Sequence, residues 1–75
     1  MPKVPRITGE DAVKAFCNAG FVEDRVRGSH HILRHPDKPA RLSIPVHAGK
    51  TIGVGLLRSQ IAAAKLTIEQ FTKLL

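Results

Sequence analysis

Phe21-Val22-Glu23-Asp24-Arg25-Val26, then Arg27-Gly28-Ser29, then His30-His31-Ile32-Leu33-Arg34-His35 is the stretch that decides the architecture. The two outer runs carry β-branched, aromatic and aliphatic residues, and the three residues between them form turns readily. The stretch reads as strand, turn, strand. Pro36-Asp37-Lys38-Pro39 follows, dense in turn residues, and then Arg41-Leu42-Ser43-Ile44-Pro45-Val46-His47. This last segment alternates, with Leu42, Ile44 and Val46 on one side and Arg41, Ser43 and His47 on the other. Pro45 has no N–H to give to a ladder, which places the third strand at a sheet edge. The short links predict an antiparallel meander with His30 to His35 in the centre.

Helices flank the meander. On its N-terminal side the spacing predicts a helix from Gly9 to Ala19, with Thr8 as N-cap, Glu10 and Asp11 at the positive end of the dipole, and Gly20 as the stop. Ala12, Phe16 and Ala19 recur at helical spacing, with Val13 and Cys17 beside them. On the C-terminal side Ala48-Gly49-Lys50-Thr51 is a loop. A second helix is predicted from Gly53 to Lys65, burying Val54, Leu57, Ile61 and Ala64. Thr67 and Gln70 then make a capping box, Leu66 and Phe71 a hydrophobic staple, and Ile68, Phe71 and Leu75 an apolar face. The order is α-β-β-β-α-α, an α+β domain whose sheet has helices on one face and the other face free. Residues 7–75 form one domain, and residues 1–6, with two prolines, are expected to be a disordered tail.

Composition narrows the function. A chain of 75 residues has no room for a cofactor fold beside a substrate domain, so any chemistry must come from a few surface side chains. Net charge is +6. The acids Glu10, Asp11, Glu23 and Asp24 sit in the first third, whereas from Arg25 to Ile68 eight Lys or Arg accompany one acid, Asp37. That asymmetry favours a polyanion or an acidic protein partner. Three Phe and no Trp or Tyr argue against a single-strand binder that stacks bases on rings. Cys17 is alone, so no internal disulfide forms, and its place on the apolar stripe predicts a buried thiol. The N-terminus lacks the apolar core of a signal peptide and no stretch approaches transmembrane length, so the expected location is cytoplasmic and no membrane is involved.

All four histidines lie between residues 30 and 47. A metal site fails on spacing: on a strand His31 and His35 stand ~13 Å apart, and zinc needs its nitrogens within ~2.1 Å of one point. Ser29 and His30 project to opposite sides, so no activated serine is evident, and sequence spacing places no acid to orient an imidazole. RNA cleavage asks for less. The ribose 2′-OH is the nucleophile, an imidazole can take its proton near neutrality, and Lys or Arg can stabilise the crowded phosphorane. A His-rich central strand flanked by Arg25, Arg27, Arg34, Arg41 and Lys50 supplies those groups. Gly28 allows positive φ and close approach of a phosphate.

The ordered set of Arg27-Gly28-Ser29-His30-His31-Ile32-Leu33-Arg34-His35-Pro36, Ser43-Ile44-Pro45-Val46-His47, Gly49-Lys50, Gly55-Leu56-Leu57-Arg58-Ser59-Gln60-Ile61 and Ala63 to Phe71 resembles the HicA (YcfA-like) toxin family of type II toxin–antitoxin systems. The match runs from about Thr8 to Leu75. The resemblance implies a double-stranded-RNA-binding-domain-like fold and an mRNA interferase that works without metal or cofactor. It also implies neutralisation by a HicB-type antitoxin. The family's catalytic histidine falls in the Gly-Ser-His segment, so the role is carried to His30, with His31 as the alternative. Ile32 accompanies His30 and Leu33 accompanies His31, so alternation leaves the exposed face open. Arg27, Gly28, Ser29, Arg34, Arg41, His47 and Lys50 are the expected RNA-binding residues. The alternative function is a non-catalytic double-stranded-RNA-binding module, or a DNA-binding regulator, using the same basic surface.

Overall fold

The structure is a computed structural model and describes residues 3–75. Its elements are α1 (Gly9–Asn18), β1 (Val22–Arg27), β2 (His30–His35), β3 (Lys38–Pro45), α2 (Val54–Ala63) and α3 (Ile68–Thr72). The strands form one antiparallel sheet in the order β1-β2-β3. This is the α+β, double-stranded-RNA-binding-domain-like architecture expected, with β2 central.

Local chemistry sets the boundaries. The Thr8 hydroxyl accepts from the Asp11 amide at 3.2 Å and starts α1. Thr67 and Gln70 close a reciprocal capping box at the head of α3, with bonds of 3.0 and 2.9 Å. Gly20, at φ +103°, turns the chain from α1 towards β1. The Phe21–His35 rings meet edge to face at 5.0 Å, and a Cβ on Gly20 would lie 2.8 Å from His35 Nε2. β3 begins at Lys38, earlier than the Arg41 start expected, and stops at Pro45 rather than His47. Because β3 is an edge strand, Pro39 fits within it, and the link from β2 shrinks to Pro36-Asp37.

Leu33 of β2 and Leu42 and Ile44 of β3 are buried under the helices. They meet Phe16 of α1, Leu57 and Ile61 of α2 and Phe71 of α3 in one core cluster. The Phe16 ring lies 4.8 Å from Phe71 and 5.9 Å from Phe21. Two side chains depart from the expected pattern. Cys17 is exposed and Ala15 takes the inward position, because the buried stripe of α1 runs through Ala12, Ala15 and Phe16 rather than towards residue 17. Leu75 is exposed and Leu74 packs against the core instead.

The N-terminal segment also differs from the tail expected over residues 1–6. Val4 is buried in the core, and the Ile7 carbonyl accepts from the Ile52 amide at 2.9 Å. Burying Val4 contributes ~1.5 kcal/mol or more towards holding this extended segment against the domain, beside the backbone bond at Ile7. Met1 and Pro2 lie outside the described residues.

Candidate functional site

Burial of Leu33 settles which way β2 faces. Successive strand residues alternate sides, so His31, Leu33 and His35 point to the helix side while His30, Ile32 and Arg34 point to the open side. Residues opposite one another across a strand pair share a face. Arg27 pairs with His30, Arg25 with Ile32, Ser43 with Ile32 and Arg41 with Arg34. The open face therefore gathers Arg25, Arg27, His30, Arg34 and Arg41. His30 is exposed there.

Asp24 is the one acid on this cationic surface, 3.4 Å from Arg25 and 3.6 Å from Arg34. Exposed pairs of this kind are worth at most ~1 kcal/mol, so they yield readily to a phosphate. Among the described residues Arg27, Arg41 and Lys50 make no ion pair within 4 Å. Arg34 and Arg41 sit directly opposite each other, an arrangement of like charges that is unfavourable until an anion is placed between them. A shallow hollow of about 150 Å³ lies against Arg34, Lys38 and Arg41.

The turn between β1 and β2 completes this end of the sheet. Gly28 takes φ +61°, and the space where its Cβ would project is empty. The glycine is needed for the turn, and the same empty space leaves the backbone open to approach. The Ser29 carbonyl accepts from the Val46 amide at 2.7 Å. That bond brings the start of the β3–α2 loop, with His47 and Lys50 exposed on it, beside the turn.

His31 lies on the other side of the sheet. Its Nδ1 contacts the Glu23 carboxylate, and the imidazole retains 26% of its exposure. Val26, opposite His31, is 53% exposed, so the helices stop short of this end of the sheet and leave the imidazole accessible. Simple alternation along β1 would put Glu23 on the side away from His31. A bulge between Glu23 and Arg25 adds one residue, so that Glu23 pairs with Leu33 while Val26 pairs with His31. The extra residue returns Glu23 to the side of His31. The acid that sequence spacing did not place is thus supplied by an irregularity that spacing does not show.

A family model described as HicA toxin of bacterial toxin–antitoxin matches residues 9–66. The chain belongs to the HicA toxin family. No curated protein matches it. In this HicA chain the matched span takes in α1, the whole sheet and α2, and so every residue of the candidate site described in this subsection.

The remaining histidines of this HicA chain have other surroundings. His35 Nδ1 accepts from the Asp37 amide at 3.0 Å, and its ring packs on Phe21, so it shapes the β2–β3 turn. His47 is exposed in the loop. Among the described residues no three His, Cys, Asp or Glu side chains cluster as metal ligands would, and no helix is long and apolar enough to cross a membrane. The Cys17 thiol is pushed above its ordinary value by partial burial, with the Glu23 carboxylate adding to the effect.

Proposed function

We propose that this toxin is an endoribonuclease that cleaves mRNA, using an imidazole of the His30-His31 pair and no metal ion or cofactor. The observation that carries the reading is an exposed imidazole, His30, on a cationic sheet face opposite Arg27, with a second imidazole adjoining it in sequence. In the proposed step the imidazole takes the proton of a ribose 2′-OH. The 2′ oxygen bonds to phosphorus, the bond from phosphorus to the 5′ oxygen breaks, and that oxygen leaves with a proton drawn from solvent. The products are a 2′,3′-cyclic phosphate and a 5′-hydroxyl end. Arg27, Arg34, Arg41 and Lys50, with the Gly28-Ser29 backbone and His47, hold the phosphates and offset the developing charge. Along β2, Arg34 stands ~13 Å from His30, so one extended strand of RNA can touch both ends of the face. A HicB-type antitoxin with acidic or carbonyl-rich groups would silence the toxin by covering this face, and the expected location is the cytoplasm.

The test is cleavage of RNA in EDTA by the toxin purified free of antitoxin. Cleavage is expected to leave cyclic phosphate ends, and the His30→Ala, His31→Ala double variant should lose ~10²-fold or more, as removal of a positioned acid–base group does. Intact RNA, or equal cleavage by the double variant, overturns the reading. RNA that is bound tightly and left uncut would identify a binding module instead.

A further inference from the structure

Of the four imidazoles, one is gripped by a carboxylate. His31 Nδ1 contacts Glu23, His35 Nδ1 accepts from a backbone amide, and His30 and His47 have no hydrogen-bonded partner among the described residues. A carboxylate can only accept when ionised, so the ring nitrogen facing it carries the proton. That fixes the tautomer and leaves Nε2 with a free lone pair, the form in which an imidazole acts as a base. The ring is also held against rotation, which a lone exposed imidazole is not.

We propose that Glu23 is a positioning residue for RNA cleavage, and that it makes His31, rather than His30, the base that takes the 2′-OH proton. This rests on the cleavage reading above and names the group within it. The bulge in β1 selects which acid takes this role. In a regular ladder Asp24 would stand opposite Leu33 on the His31 side and Glu23 would face the open side near Arg34, whereas the bulge seats Glu23, with its longer side chain, opposite Leu33. Both partners keep contact with solvent, Glu23 at 41% and His31 at 26% side-chain exposure, so an RNA phosphodiester can approach the ring. His30 stays on the cationic face, opposite Arg27, where it contributes to phosphate binding.

The experiment compares wild type, Glu23→Ala, Glu23→Gln, His30→Ala and His31→Ala on one RNA in EDTA, measuring kcat and KM separately. The same proteins, labelled with 15N, report the His31 tautomer by NMR. Glu23 is well exposed, so each variant should keep the wild-type thermal midpoint. Glu23→Ala is expected to lower kcat about 10- to 100-fold, part of the ~10²–10⁴ a positioned base contributes, with KM little changed. Glu23→Gln retains an acceptor oxygen and should recover part of the loss. The NMR spectrum should show His31 protonated on Nδ1 in wild type and in Glu23→Gln, and a mixture of tautomers in Glu23→Ala. A wild-type kcat in Glu23→Ala, an unchanged His31 tautomer, or turnover lost in His30→Ala and kept in His31→Ala overturns the positioning role. If those results come with wild-type cleavage in EDTA, RNA cleavage stands and Glu23 alone falls. If wild type leaves RNA intact, the cleavage reading falls and takes the positioning role with it.

Discussion

Cys17 shows how a single carboxylate acts on its neighbours. The residue is exposed, yet partial desolvation of the thiol and the nearby charge of Glu23 both disfavour the thiolate. Since the thiolate is the nucleophile, alkylation of Cys17 by iodoacetamide should reach its half-maximal rate at a higher pH than for a free cysteine. Removing the charge in Glu23→Gln should move that profile to lower pH. A profile matching free cysteine in wild type would show that neither influence reaches the sulfur. The same residue marks a limit of reading periodicity in one helix. The stripe through Ala12 and Phe16 was legible, but a helical face is wide, and only packing against β3 decides that Ala15 rather than Cys17 lies inside.

At the scale of elements, α1 meets the end of β3 backbone to backbone. A Cβ on Gly9 would fall on the Pro45 carbonyl oxygen and come within 2.9 Å of Val46 Cα. Backbone cannot move aside as a flexible side chain can, so Gly9→Ala should destabilise the fold by ~2 kcal/mol, as overpacking does, and lower the thermal midpoint by ~10 °C for a domain of this size. Gly55 is the counterpart, with nothing near its missing Cβ inside α2. Gly55→Ala should raise the midpoint, since Ala favours a helix by up to ~1 kcal/mol. Equal midpoints for the two variants would refute the packing argument. Elements set by nearest neighbours were legible in the sequence: the Thr8 cap, the Thr67–Gln70 box, and β2 from His30 to His35. The β3 boundary was not, because Lys38-Pro39 looks like a turn unless the strand is known to be an edge beyond His35. Glu23 was hidden for a related reason. Counting by twos along β1 gives the wrong side of the sheet once Asp24 is inserted, and the bulge is fixed by pairing with β2, which no local pattern encodes.

Taken whole, the molecule is a thin plate, 33 × 30 × 17 Å, one sheet and one layer of helices deep. Among the described residues no deep cleft could surround a polymer, so in the proposed reading recognition falls to the arginines of the open face and the turn at its end, which were legible in the sequence as a charge imbalance. A plate of this kind also has rims. β1 forms one of them, with all six residues exposed and Val22 and Val26 more than half uncovered. An unpaired, partly apolar strand is a template on which further chains can stack into insoluble sheets. The kink and the negative charge at Asp24 interrupt that template. Asp24→Val should remove the charge from the rim and add a third apolar side chain to it, and concentrated solutions of this variant should scatter light and precipitate where wild type stays clear. A variant as soluble as wild type would mean that the rim is guarded by other residues. The residue that brings Glu23 to His31 is, on this account, also what lets the toxin accumulate without self-assembly.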